Sequence, residues 1–439
     1  MLRSITNFFV ALVKRFLPNS YTIALTLTLF VFAWGCLATE TSPGAMVELW
    51  NNGLYSNLTF ILQMCLLMLY GQTLGLAPAV ERGIKRVAMI PRSRSGAALM
   101  TFFCAYFATF LNWGLGLAVA AMIAREIAII NKGRNYDFGM LVAAAYIGCQ
   151  LPGLSSAIPL IVASKGHFLE EAMGVIPLNQ TIFAGWNIVT MLVTLGAIAA
   201  MLFFITPEAA DSTEVETSLF KGESSVSVNI APITFAERLE ASFALQMLLC
   251  LIGASALFIF YRKEGLYMGI NTVNLTFMIL GMIFHRTPRN YLKAISVSVK
   301  SIAGIAFLFP LYFGLMSMMR GSGLGAVITG SIVSLSNAET LPVFTFLSAG
   351  LVNILIPSGG GQWAVQGPIV IEAAKQLGAD LGKVTMGVCW GDLWTNLIQP
   401  FWAIPVLAIA KLDVKDIMGY CVVVSFVFGA SVTICMLVL

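Results

Sequence analysis

The sequence predicts an all-α polytopic membrane protein made of two inverted repeats, each with a re-entrant hairpin and a discontinuous transmembrane helix. Three observations predict this fold. The 439-residue chain is 58% hydrophobic and only 10% charged, whereas soluble domains carry about 25% charged residues. Long apolar segments follow one another along the chain, and polar, glycine-rich breaks interrupt four of them in an order that repeats. A soluble enzyme with a large core would need far more polar surface.

The charge and cysteine content disfavour other classes of protein. The formal net charge of +4 is spread along loops, without the basic patch and interleaved aromatics of a nucleic-acid-binding protein. The eight cysteines occur singly in apolar segments, with no CxxC pair and no histidine cluster. We therefore expect no metal site, no disulfide framework and no cofactor.

The first seventeen residues, MLRSITNFFVALVKRFL, are amphipathic. Arg3, Lys14 and Arg15 lie off an apolar helical face, and no short apolar core ending in a small-residue cleavage motif follows. This pattern is typical of a helix that lies on the membrane surface rather than of a cleavable signal.

Seven segments are long and apolar enough to cross a bilayer, which takes about 20 residues. They lie near 21–38, 54–76, 181–205, 243–261, 269–284, 299–319 and 418–438. Four further regions are interrupted by polar residues. They are 97–126, 139–163, 341–376 and 384–411.

The four interruptions recur in order at a separation of about 245 residues. LNWGLG around Asn112 corresponds to PSGGGQW around Ser358, and CQLPGLSS corresponds to WGDLWTNLIQP. Residues 101–123 lie over 345–367 in this alignment. Identities between apolar segments are weak support, but the shared order of breaks indicates an internal repeat.

The placement of basic residues predicts how the chain threads. Arg and Lys are concentrated at the N-terminus, in the loop near 77–96 and again after 97–126. The positive-inside rule puts all three in the cytoplasm, so 97–126 must enter and return as a re-entrant hairpin. The first half then makes four crossings and the helix at 243–261 makes a fifth, which inverts the second half. Arg262 and Lys263 would lie outside, in mild conflict with this topology.

These crossings divide the chain into three parts. Residues 1–206 form the N-terminal transmembrane repeat with the surface helix, and 207–242 form an acidic, poorly ordered cytoplasmic linker. Residues 243–439 contain the linking helix and the C-terminal transmembrane repeat.

The motif PSGGG at 357–361 is the first candidate for a binding site. Non-helical backbone at membrane depth is tolerated only where protein or a water-filled cavity covers it. Glycines let the backbone turn sharply and approach a ligand closely, and a helix that begins there presents free N–H groups to a carboxylate. Close helix packing is the alternative role for glycines in membranes, but a proline beside three glycines disfavours it.

Other polar and aromatic residues at the breaks are predicted to line the same cavity, although each could instead make an interhelical hydrogen bond or anchor the helix at the membrane interface. The predicted substrate-binding residues are Asn112, Trp113, Gly114, Gly116, Ser155, Ser156, Ser358, Gly359, Gly360, Gly361, Gln362, Trp363, Gln366, Asn396 and Gln399.

Asp392 is the candidate for ion coupling. It lies inside an interrupted apolar segment, where a carboxylate costs about 2.5–3.5 kcal/mol at the bilayer centre on insertion scales. Such a group can bind and release a proton, or coordinate sodium together with carbonyl oxygens. The alternative is a structural hydrogen bond to Trp394 or Asn396.

Several motifs resemble the bacterial short-chain fatty acid transporter family. They are PSGGGxWxxQGP at 357–368, GADLGK at 378–383, the tract from Gly391 to Pro405, INTVNL at 270–275 and NWGxG at 112–116. The resemblance covers nearly the whole chain. It implies uptake of small monocarboxylates such as acetoacetate or butyrate across the bacterial inner membrane, with protons as the coupling ion. It also implies a place in the wider ion transporter superfamily, whose members suggest a homodimer.

One position departs from this resemblance. Some relatives carry histidine after the third glycine, where this chain has Gln362. A protonation role for that histidine therefore does not transfer, and the acidic position is retained as Asp392.

The sequence thus predicts a secondary active transporter, not an enzyme, with a small carboxylate, a coupling cation and the lipid bilayer as its partners. A proton is preferred over sodium as the coupling cation, and a sodium-coupled symporter or a passive channel is the alternative. A pore would favour rings of like groups. An intramembrane hydrolase using Ser155, Ser156 or Ser358 would lack a histidine or lysine at matching depth.

Overall fold

The structure, a computed structural model, describes residues 20–220, 234–265, 268–399 and 402–439. Within these ranges the chain forms α-helices and short 3₁₀ turns, with no β-strand. The predicted surface helix at residues 1–17 lies outside the described residues. The all-α architecture expected from the sequence is confirmed.

The helices are numbered in chain order. They are α1 (Ser20–Ala38), α2 (Pro43–Leu54), α3 (Leu58–Gly75), α4 (Pro78–Ala88), α5 (Arg94–Leu111), α6 (Trp113–Ile130), α7 (Phe138–Gly148), α8 (Ala157–Val162), α9 (Glu170–Met173), α10 (Gly185–Ile205), α11 (Phe235–Glu240), α12 (Phe243–Glu264), α13 (Ile270–His285), α14 (Pro288–Ser298), α15 (Ala303–Gly321), α16 (Leu324–Leu335), α17 (Leu341–Leu355), α18 (Gly359–Leu377), α19 (Leu381–Thr395), α20 (Ala403–Ala410) and α21 (Val414–Val438).

Each of the seven uninterrupted spans predicted from the sequence is a helix in the structure: α1, α3, α10, α12, α13, α15 and α21. Four helices of 11 or 12 residues, α2, α4, α14 and α16, are not predicted from the sequence. They are too short to span a bilayer, so no apolar segment of about 20 residues marks them.

Helices α5 and α6 form the first predicted hairpin, and Asn112 alone connects them. The two arms are antiparallel and tightly packed, since a Cβ at Gly116 would overlap Thr109. The tip lies against the break that follows α7, where the N–H of Leu154 donates to the carbonyl of Phe110 at 2.7 Å. The tip therefore ends beside an interrupted helix.

Helices α17 and α18 form the second hairpin, joined by residues 356–358. Gln362 Nε2 donates to the carbonyl of Ala349 at 2.9 Å, and Gln366 Nε2 donates to Ser348 Oγ at 3.2 Å. These bonds join the two arms side by side, as the sequence predicted.

The two interrupted helices run in opposite directions. The first consists of α7 and α8, and the second consists of α19 and α20. At the start of α7, a Cβ at Gly139 would lie 2.8 Å from the carbonyl oxygen of Asp416, which is at the start of α21. At the start of α19, Lys383 Nζ donates to Leu439 O at 2.9 Å, just after the C-terminal end of α21. The two interrupted helices therefore begin at opposite ends of α21. The inverted relation of the complete halves stays a prediction.

The two ends of the first hairpin lie on the same face of the molecule. Tyr136 Oη donates to the carbonyl of Pro91 at 3.2 Å, and Asn131 Nδ2 donates to the carbonyl of Ala88 at 2.8 Å. The predicted linker begins on this face, where Glu214 accepts hydrogen bonds from the backbone of 133 and 135. The topology agrees with a hairpin that enters and returns. Which face is cytoplasmic stays a prediction.

Candidate functional site

A cavity lies where the two hairpin tips and the two helix breaks meet. About 740 Å³ in the cavity and at its mouth is free of protein atoms. Most of the lining is apolar and includes Met64, Leu117, Ile158 and Phe309. Among the described residues that line it there is no lysine, arginine or histidine, and Asp392 is the one carboxylate.

The N-terminus of α18 opens into this cavity. Ser358 is the N-cap residue, and its Oγ accepts from the N–H of Gly361 at 3.4 Å. The N–H groups of Gly359 and Gly360 donate to no other described residue, and both glycines line the cavity. Because neither has a Cβ, a ligand can approach the two free N–H groups closely.

At the other hairpin tip, side chains accept from the N–H groups of Trp113 and Leu115 at the N-terminus of α6. Asn112 is the N-cap there, with its Oδ1 accepting from the N–H of Leu115 at 3.0 Å and its Nδ2 donating to the carbonyl of Leu67 at 3.3 Å. The first N–H of the helix, that of Trp113, donates to Ser155 Oγ at 2.8 Å. A spacing of 246 residues separates Trp113 from Gly359 and Asn112 from Ser358. The two tips are therefore equivalent in the chain, but only the second presents open donors to the cavity.

Asp392 lies beside the open donors. Its side chain is almost wholly buried, with 7% of the residue exposed, and Oδ1 has no hydrogen-bond partner among the described residues. A Cβ at Gly359 would lie only 3.1 Å from Oδ2. The carboxylate is therefore directed toward the first turn of α18.

The two alternative partners predicted for Asp392 are engaged elsewhere. Trp394 Nε1 donates to the carbonyl of Ser425 at 2.7 Å. Asn396 bonds through its side chain to Gln150 at 3.1 Å and to Asn353 at 2.8 Å. None of these hydrogen bonds involves the carboxylate of Asp392, and its role in ion coupling stays a prediction.

A buried polar network holds the two helix breaks together. Tyr146 Oη donates to the carbonyl of Asn396 at 2.6 Å, and Gln399 Nε2 donates to Asn396 Oδ1 at 2.8 Å. Asn353 Nδ2 also donates to the carbonyl of Asp392 at 2.7 Å. The hydrogen bond between Gln150 and Asn396 joins residues from the two breaks. The network fixes the backbone at the wall of the cavity.

Some of the residues predicted to bind substrate line the cavity. They are Trp113, Ser156, Ser358, Gly359, Gly360 and Asn396, together with Asp392 as the ion-coupling candidate.

The remaining predicted residues lie behind the cavity wall. Asn112 and Ser155 hold the first tip, and Gln399 belongs to the polar network. Gln362 donates to Gln366 at 2.9 Å and joins the hairpin arms. The others pack in close contacts: Gly114 against Met68, Gly116 against Thr109, Gly361 against Tyr312, and Trp363 against Gly367. A role for these residues in binding stays a prediction.

Several residues of the lining are not predicted from the sequence. Thr109 and Gln150 are polar and lie next to the predicted breaks, so their proximity to the breaks is a signal that could have found them. Ile305 and Phe309 come from α15, an uninterrupted helix with no polar break to mark it.

A second, larger space lies on the side of Phe60 away from the cavity. This vestibule is lined by the 164–168 loop and by the start of α13, with about 1250 Å³ free of protein atoms. Lys165 forms an ion pair with Glu264 at 2.7 Å. Burial lowers the pKa of His167, whose Nε2 lies 3.0 Å from the carbonyl oxygen of Gly174.

Four aromatic rings in mutual contact connect the lining of the vestibule to the lining of the cavity. Phe60 contacts Phe168, Phe309 and Phe313 with ring centroids 5.5, 6.1 and 5.8 Å apart. Phe60 lines the vestibule and Phe309 lines the cavity. We call these four residues the aromatic cluster.

In the described part of the chain, no group of three or more His, Cys, Asp or Glu side chains is arranged to hold a metal ion. Instead, the two hairpin tips, the two interrupted helices and the helices α3 and α15 line one cavity, and seven helices in the described part of the chain are long and apolar enough to cross a membrane. This arrangement is characteristic of membrane transporters, whose binding sites are formed by discontinuous helices. The fold and the site define the protein as a membrane transporter.

Comparison with known proteins identifies the family. The model of the short chain fatty acid transporter family matches residues 1–439, so the chain belongs to that family. A protein of Escherichia coli named as a short-chain fatty acid transporter is 39% identical, over 98% of this chain and 100% of its own length. One from Haemophilus influenzae with the same name is 35% identical, over 99% of each chain.

Two solved structures share the fold. The YdaH transporter of Alcanivorax borkumensis superposes with a TM-score of 0.61 at 15% identity, over 96% of this chain and 98% of its own. MtrF of Neisseria gonorrhoeae, described with a class of antimetabolite efflux pumps, gives 0.61 at 14% identity, over 96% and 95%. At these identities the likeness concerns the fold alone.

Proposed function

We propose that this protein takes up short-chain fatty acids or related small monocarboxylates, such as butyrate and acetoacetate, by symport with a cation. The cation is a proton in preference to sodium. The transported carboxylate binds the N–H groups of Gly359 and Gly360, and its short acyl chain occupies the apolar part of the cavity. The protein acts as a transporter and not as an enzyme.

The observation that carries this proposal is the pair of unpaired N–H groups in a cavity whose described lining contains no cationic side chain. A helix N-terminus stabilises an anion through its dipole and its unpaired donors. A carboxylate is small enough to approach two adjacent glycines. The mainly apolar lining suits a short alkyl chain and would disfavour a second charge on the substrate.

Asp392 carries the coupling ion in this proposal. It is the one carboxylate of the described lining and has a side-chain oxygen without a partner. The protein lies in the bacterial inner membrane with its N-terminus in the cytoplasm, as the basic loops favour. We propose a homodimer by resemblance to the superfamily.

Uptake of labelled butyrate into proteoliposomes tests the function. An inward proton gradient should drive accumulation above the external concentration, and a sodium gradient alone should not. In Asp392→Asn, accumulation should be lost while exchange of internal for external butyrate continues. Absence of uptake under either gradient would refute the proposal.

The same experiment distinguishes the alternatives. Accumulation driven only by sodium identifies a sodium-coupled symporter. Equilibration without accumulation identifies a passive channel. Turnover of an ester substrate that is lost in Ser358→Ala would indicate an intramembrane hydrolase.

A further inference from the structure

Asp392 lies beside the N–H groups that bind the substrate carboxylate in the proposed function. The open N–H groups belong to Gly359 and Gly360, and Asp392 Oδ2 lies 3.1 Å from the position that a Cβ would take at Gly359. All three residues line one cavity. A carboxylate bound at the start of α18 would therefore be adjacent to the carboxylate of Asp392.

Among the described residues of the lining there is no cationic side chain that could neutralise two adjacent negative charges. The other titratable groups of the described lining are Cys149 in the first break and Cys389 on α19, and Tyr146 on α7 lies behind the lining, against the carbonyl of Asn396. Helices α8, α17 and α18 present Ala157, Asn353 and Gly359, none of which titrates. Asp392 is thus the one carboxyl group among the described residues of the lining, and the other titratable groups there are thiols.

Two carboxylates that share a buried site do not ionise together, because their repulsion raises the free energy of the doubly charged state. In carboxyl pairs of this kind the two groups share one proton, so that one of them is a neutral carboxylic acid and the other is ionised. The same rule applies when one of the two carboxylates belongs to a ligand.

We propose that Asp392 and the substrate are mutually exclusive anions at the N-terminus of α18, so that the substrate binds as the carboxylate only when Asp392 holds a proton. The inference rests on the proposed function and specifies its coupling. The proton moves from water onto the carboxylate of Asp392 as the substrate anion binds, and it leaves to water on the other side after the anion has left. One anion and one proton cross together, and the transport cycle is electroneutral.

This exclusion has a measurable signature in binding. Above about pH 6 a simple carboxylic acid is already ionised, so the substrate takes no further part in the titration. Once Asp392 is ionised in the free protein, each pH unit should weaken butyrate binding about tenfold, and each bound butyrate should bring about one proton into the protein.

Titration calorimetry of the full-length protein in detergent tests the inference. Butyrate is added between pH 6 and 8.5 in two buffers with different heats of ionisation, and the difference in heat gives the number of protons taken up. The expected result for the wild type is a rise toward one proton per butyrate at high pH. In Asp392→Asn the expected proton uptake is zero and the affinity does not depend on pH.

A matched control keeps the assignment specific. Cys149→Ser and Cys389→Ser each remove another titratable group near Asp392 and should retain the proton uptake of the wild type. Loss of proton uptake in a cysteine variant and its persistence in Asp392→Asn would overturn the inference. If Asp392→Asn does not fold, the wild-type measurement still decides, because butyrate binding without proton uptake across the whole pH range would overturn the inference.

The proposed function fails by a different result. Butyrate that is accumulated by proteoliposomes but binds without proton uptake refutes mutual exclusion and leaves transport standing. Neither binding nor uptake refutes both. A potassium diffusion potential provides an independent check, because it should not drive uptake if the cycle is electroneutral, and potential-driven accumulation would contradict a 1:1 cycle.

Discussion

Gly359 is the position at which one methyl group should separate binding from folding. In Gly359→Ala the new Cβ would lie 3.1 Å from Asp392 Oδ2 and 3.5 Å from the Cβ of Ala157. It would cover one open N–H and displace the neighbouring carboxylate. Loss of one hydrogen bond to a charged group costs about 1.5–3 kcal/mol, which corresponds to a loss of about 10- to 150-fold in affinity.

The fold should be little affected by this change. The tight contact is with the end of the Asp392 side chain, which can move by a few tenths of an ångström, and Ala157 lies at an ordinary contact distance. We therefore expect a 10-fold or greater rise in the KM for butyrate uptake, or in the Kd from calorimetry, with a Tm in detergent close to that of the wild type.

Gly185→Ala is the matched control. Gly185 is also the first residue of a long helix, α10, and a Cβ there would meet nothing within 4 Å. Its KM should equal that of the wild type. If Gly359→Ala binds butyrate as tightly as Gly185→Ala while both are folded, the N–H of Gly359 is not part of the binding site.

Three further changes test the surroundings of the cavity. Asn396→Leu leaves the Gln150 side chain and others in the polar network without partners, at about 1–3 kcal/mol for each buried group, so its Tm should fall well below that of the wild type; an unchanged Tm would contradict the network. Ser155→Ala removes only the acceptor for the N–H of Trp113, so butyrate affinity should change less than twofold, and a tenfold loss would place the first hairpin tip in the binding site. Phe60→Ala opens the aromatic cluster, so a membrane-impermeant maleimide should label Cys149 several times faster than in the wild type. The labelling is measured by mass spectrometry, and equal rates would show that the cluster does not block access to the cavity.

The interrupted helices could be predicted because polar residues and glycines in an apolar segment are visible in the sequence. The breaks at Asn112 and Ser358, and the later pair near 150 and 396, are where the structure has them. Non-helical backbone at membrane depth is tolerated only where protein or a water-filled cavity covers it. Each such break therefore marks a cavity or a packed interface.

The difference between the two hairpin tips could not be predicted. Both tips have a polar N-cap and glycines, but Ser155 Oγ accepts the hydrogen bond from the N–H of Trp113. This contact depends on how the first break packs against the hairpin. The sequence therefore placed Asn112 and Ser358 in one set, whereas the structure places only Ser358 at the cavity.

The side-chain packing behind the cavity wall also could not be predicted from the sequence. Gln362 and Gln366 stand beside the glycines in the chain, but the helical period turns their side chains toward α17 rather than toward the cavity. Phe309 and Ile305 lie in an uninterrupted helix, so only the three-dimensional arrangement brings them to the lining.

The most direct test of the account is to locate a bound carboxylate. Crystals of the full-length protein grown with 3-bromopropionate, measured at the bromine absorption edge, report the position of the acyl end, while the density reports the carboxylate. We expect bromine in the apolar part of the cavity and the carboxylate within hydrogen-bonding distance of the N–H groups of Gly359 and Gly360. A carboxylate bound elsewhere, with α18 still open and unoccupied, would contradict it.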